Sequence, residues 1–123
     1  ELEAKGHEVE LTGIFYHLGE NDMSFHPYRK QAAERLQTII AQSRNDLEWP
    51  ALKWYVSQQP PPDDKSVNNI DVVANIAMAA AADPTLIHLK TFNLPSQEKK
   101  LVISTAGIVK LGEFIAKSYL GHQ

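Results

Sequence analysis

The residues best suited to chemistry lie in one short run, Tyr16-His17-Leu18-Gly19-Glu20-Asn21-Asp22. An apolar, β-favouring segment stops there at a glycine and turns polar. A glycine lets a substrate or another backbone approach closely, and its N–H can point into a crevice. The carboxamide of Asn21 adds two donors on a short arm. Gly19 and Asn21 together offer the donor pair of an oxyanion hole, which stabilises the charge developing on a carbonyl oxygen during acyl transfer. The same residues also suit a solvated turn in which Asn21 and Asp22 bond their own backbone. His26 follows, either at the rim of a pocket or exposed ahead of Pro27. Glu20, Asp22 and His26 are close in sequence, but they match no established metal-ligand spacing. Neither a metal nor any other cofactor is expected.

The elements that must position this run alternate along the chain. Residues 1–5 read as the tail of a helix stopped at Gly6. Val9 to Leu18 is β-rich and nearly continuous in apolar character, which suits a strand covered on both faces of a parallel sheet. Tyr28, Ala32, Leu36, Ile39, Ile40 and Ser43 follow helical spacing through "YRKQAAERLQTIIAQSR". Leu52 to Gln58 makes a second strand, and the prolines of "QQPPPDDKS" then fix an extended loop rather than a domain linker. Asn69 to Ala82 forms a second helix, expected to bury Ile70, Val73, Ala74, Ala77, Met78 and Ala81. "TLIHLKTF" is a third strand, carrying His88, which reads more simply as a packed core histidine than as a catalytic one. "STAGIVKLGEFIAKSYL" is a third helix, capped by Ser104 or Thr105, with Ile108, Leu111, Ile115 and Tyr119 as its buried stripe. Helices of this length between strands imply parallel pairing and right-handed crossovers. The fold class is therefore α/β, in three α/β/α layers.

Composition narrows the function. The chain has 123 residues, 43% of them hydrophobic and 22% charged, as suits one domain with a single core. Its net charge is −3, with the basic residues scattered, so a nucleic-acid partner has no electrostatic footprint. Without cysteine, disulfides and thiolate metal sites are excluded. No apolar run is long enough for a bilayer-spanning helix, so no membrane partner is expected. The first residues are charged and lack the apolar core of a secretory signal.

The block "VELTGIFYHLGENDMSFHPYRKQAAERLQTIIAQSR" resembles the central part of SGNH-type hydrolases, in particular the carbohydrate O-acetylesterases of the sialate O-acetylesterase kind. In those proteins a strand ends in a Trp/Tyr-His-Gln-Gly-Glu-Ser/Asn-Asp run and a long helix follows. Here Leu18 stands where the glutamine is usual. "LVISTAGIVKLGEFIAKSYL" resembles the family's closing helix. The resemblance implies a flavodoxin-like sheet lacking its first strands, with residues 1–123 as one α/β domain, the C-terminal part of an SGNH-type domain. It implies that Gly19 and Asn21 are oxyanion-hole donors, and that His17, Glu20, Asp22 and His26 line a pocket for an acetylated carbohydrate.

The family's catalytic triad is missing. The family's serine lies on a Gly-Asp-Ser turn, and none of Ser24, Ser43, Ser57, Ser66, Ser96, Ser104 and Ser118 has such a setting or a G-x-S-x-G one. The family's base comes from an Asp-x-x-His before the last helix, where this chain has Lys99 and Val102. Valine cannot take a proton, and no Asp-x-x-His occurs elsewhere. The expectation is an acetylesterase-like domain without activity of its own. A non-catalytic carbohydrate-binding or assembly module is the alternative, and an esterase completed by another segment is a third reading. A first strand without its neighbour would leave an open edge, so self-association, or pairing with a missing N-terminal segment, is expected there.

Overall fold

The computed structural model describes residues 1–18, 26–58, 70–90 and 103–122. A single 3-10 turn, Glu3–Lys5, stands where the sequence suggested a longer helix, and Gly6 ends it in the left-handed region at φ 80°. Then follow β1 (Ile14–Leu18), α1 (His26–Asp46), β2 (Trp54–Gln58), α2 (Ile70–Ala82), β3 (Leu86–His88) and α3 (Thr105–Gly121). The strands form one parallel sheet in the order β1-β2-β3. The α/β class and the alternation of elements are as the sequence implied.

The register decides which side chains share a face. Ile14, Trp54 and Leu86 are aligned across the sheet, as are Phe15, Tyr55 and Ile87, and then Tyr16, Val56 and His88. Side chains alternate along a strand, so the rows led by Ile14 and Tyr16 share one face and the row led by Phe15 takes the other. Consecutive crossovers of one hand, with the strand order running in one direction, carry their helices to the same side. Accordingly Ala32, Leu36 and Ile40 of α1 and Val72, Ile76 and Ala79 of α2 form one core with Leu18, Trp54, Val56 and Leu86. The other face meets α3: the Tyr119 ring lies 5.9 Å from both Phe15 and Tyr55, and those two stack at 4.9 Å.

Burial corrects several details of the sequence reading. β2 is the strand buried along its whole length, as its central place requires. β1 starts at Ile14, not Val9, and among the described strands it lies at one end of the order, with Phe15 45% exposed. α2 buries Val72, Ile76 and Ala79, whereas Met78 is 71% exposed and Ala74 and Ala81 are also exposed. That helix is apolar nearly all round, so periodicity could not choose its inner face. On α3 the inner positions are Gly107 and Leu111, and Ile108 is 59% exposed. Ile39 of α1 also points outward. Ser104, rather than Thr105, caps α3, accepting a hydrogen bond from the Gly107 N–H at 3.2 Å.

Candidate active site

In open α/β sheets, ligands bind beyond the carboxyl ends of the strands. Here that rim holds His17 on β1, Ser57 and Gln58 on β2 and His88 on β3. Two cross-strand pairs organise it. His17 Nδ1 lies 2.8 Å from Ser57 Oγ, the residue opposite it in register, in a hydrogen bond whose direction follows the imidazole tautomer. His88 Nε2 donates to Gln58 Oε1 at 2.7 Å.

A histidine beside a serine is the start of nucleophilic chemistry, and local sequence gave no hint of it. Ser57 sits in no serine-hydrolase motif. The contact arises only from parallel register, which brings positions 40 residues apart into one row. Its surroundings argue against catalysis. A nucleophile needs an acyl carbon within reach of its oxygen, and Ser57 is 2% exposed. The pair instead satisfies a hydroxyl that burial would leave without water.

The His88 pair lies on the opposite face, in the row of Tyr16 and Val56. With Nε2 as donor, the neutral ring carries its lone pair on Nδ1, and that atom is buried without a partner among the described residues. Burial pushes the pKa of this imidazole below its ordinary 6.5, and the nearby Lys90 ammonium pushes the same way. His88 is thus a half-buried ring whose environment favours the neutral form, rather than the fully packed core histidine that the sequence suggested. The two pairs therefore lie on opposite faces of the sheet.

Among the residues singled out from sequence, His17 is on the rim and His26 is the first residue of α1. Gly19, Glu20, Asn21 and Asp22 lie outside the described residues, as do Lys99 and Val102. β1 ends at Leu18, immediately before Gly19 in the chain. Among the described residues, no group of three or more His, Asp or Glu side chains could hold a metal ion, and no helix is long and apolar enough to cross a membrane.

A rim of this kind at the ends of parallel strands agrees with a match found over nearly all of the sequence. The model of the carbohydrate esterase family of sialic acid-specific acetylesterases matches residues 1–121. The chain belongs to this family. It is an esterase-like domain, and the α/β architecture is the family's. Among solved structures, the X-ray structure of a protein from Arabidopsis thaliana is similar, with a TM-score of 0.72 at 20% sequence identity. The likeness covers 91% of this chain and 45% of the plant protein, so the chain spans about half the length of that relative. At that identity the likeness establishes the fold alone. No curated protein matches the sequence.

Proposed function

We propose that the chain is the C-terminal part of an acetylesterase-type domain, shaped to hold an O-acetylated carbohydrate at its carboxyl rim, and that alone it does not hydrolyse esters. The observation that carries this reading is the absence of any Asp-x-x-His from the sequence, with Lys99 and Val102 at the corresponding positions. Acyl transfer through a serine needs a base within hydrogen-bond reach and a group to orient it. The burial of Ser57 supports the same conclusion, since the His17–Ser57 pair offers no exposed substitute. In this reading Gly19 and Asn21 are oxyanion donors without a nucleophile, and His17, Glu20, Asp22 and His26 contact the sugar. The test is a fluorophosphonate probe, which labels activated serines. The chain should remain unlabelled under conditions that saturate a competent serine esterase, and mass-spectrometric recovery of the label on Ser57 would overturn the proposal.

A second reading, an assembly module on the same scaffold, is favoured by exposed apolar side chains. Phe15 on the end strand is 45% exposed, and Ile108, Val109 and Leu120 of α3 are 59%, 58% and 70% exposed. Exposed apolar side chains are where a partner chain could bury surface. The occupant proposed is a second copy of this chain. Sedimentation at micromolar concentration should show a dimer that Phe15→Glu converts to monomer, and a monomer for the unaltered chain would remove this reading.

A further inference from the structure

The amino end of the sheet, opposite the rim, holds a concave site. A cavity of about 260 Å³ opens between the segment entering β1, the segment entering β2 and the last turns of α3. Glu10, Thr12, Trp49, Lys53 and Tyr119 line it. We infer that this cavity is a binding site for one neutral pyranose ring, separate from the carboxyl rim and independent of the proposed function.

The chemistry of the lining carries the inference. A pyranose presents flat C–H faces and a belt of hydroxyls, each both donor and acceptor. Its site needs aromatic surface for the faces and a mixture of donors and acceptors for the belt. Trp49 and Tyr119 supply the aromatic surface, and Trp49 is 39% exposed. The donors and acceptors are uncommitted. Among the described residues, neither the Glu10 carboxylate, the Thr12 hydroxyl nor the Trp49 indole N–H makes a side-chain hydrogen bond or ion pair. Lys53 gives one N–H to the His122 carbonyl, which steadies the ammonium and leaves its other donors available. The carboxylate and the ammonium cancel, so the cavity offers a net-neutral ligand no penalty and a charged one no preference. Its volume lies just below the range of about 300–1,000 Å³ usual for drug-sized ligands, which suits a single ring.

The test is an NMR titration of the intact ¹⁵N-labelled chain with methyl α-D-glucopyranoside and methyl β-D-galactopyranoside, with N-acetylneuraminic acid as a charged comparison. The expected result is a saturable shift of the Trp49 indole N–H and of the Thr12 and Lys53 amides. Trp49→Ala should weaken binding at least about tenfold, equivalent to about 1.4 kcal/mol. Glu10→Gln, at an exposed position, should weaken it too and guards against a folding defect in the first variant. Asn21→Ala should leave this binding unchanged, which separates it from events at the carboxyl rim. No saturable shift, shifts confined to His17 and His88, binding unaltered in both cavity variants, or tighter binding of the charged sugar would each overturn the inference.

Discussion

At the amino end of the sheet, each nitrogen of the Arg44 guanidinium has a partner: Nε donates to the Leu52 carbonyl at 3.1 Å, Nη1 to Asp83 Oδ2 at 2.6 Å and Nη2 to Thr85 Oγ1 at 2.6 Å. At the carboxyl end, His88 has one partner for two ring nitrogens among the described residues, and Nδ1 is buried without another. Arg44 ties the end of α1 to the entries of β2 and β3 in a closed polar knot, with Asp83 also accepting from the Thr85 N–H and hydroxyl. A network that gives each nitrogen of a guanidinium a partner rigidifies a fold, whereas a buried polar atom with none costs stability. The knot is therefore structural. The rim keeps the looser pairing, at the end where sheets of this class bind ligands.

The sharpest way to break the comparison is Arg44→Ala. It removes three hydrogen bonds and leaves Asp83 without its cation, and a loss of about 3 kcal/mol in urea-induced unfolding is expected. A loss below about 1 kcal/mol would mean that the knot contributes little. At the rim, Ser57→Ala should cost less, about 1 kcal/mol, because it breaks one hydrogen bond in a site that an alanine fills without strain. A larger loss at Ser57 than at Arg44 would invert the assignment of the two ends.

The third effect is read from pH. His88 has a depressed folded pKa, so its neutral form contributes stability fully present above 6.5, the ordinary histidine value, and lost as pH falls through the depressed one. Burial alone would raise the Asp83 carboxyl, but hydrogen bonds from Thr85 and Arg44, with the Arg44 charge, hold it below 3.8. Its contribution is present above 3.8 and lost at lower pH. Stability should therefore fall in two separate windows on acidification. His88→Gln should erase the upper window and spare the lower, as measured by thermal melts across the acid range. A melt profile in His88→Gln identical to that of the parent would show that the fold does not favour the neutral form of the rim histidine.

The strands, the helices and their parallel alternation were legible because each element carries its own period or cap, as Ser104 does for α3. Three things were not. The inner face of α2 was hidden because Val72, Ile76 and Ala79 are no more apolar than the outward Met78 and the half-buried Val73. Local composition marks β1 as buried, but its place at the end of the strand order exposes Phe15. The His17–Ser57 pair is non-local, so no window of sequence contains it. The same holds for the Arg44 knot, which joins residues about 40 positions apart. Family membership was legible in Gly19-Glu20-Asn21-Asp22, where residue types and spacing are contiguous.

The central claim, an acetylesterase-type scaffold without its own proton-handling apparatus, is tested most directly by turnover of a chromogenic acetyl ester. The account predicts the solvent rate for the unaltered chain, for Asn21→Ala and for Ser57→Ala alike. Hydrolysis well above that rate in the unaltered chain, abolished by either substitution, would contradict it.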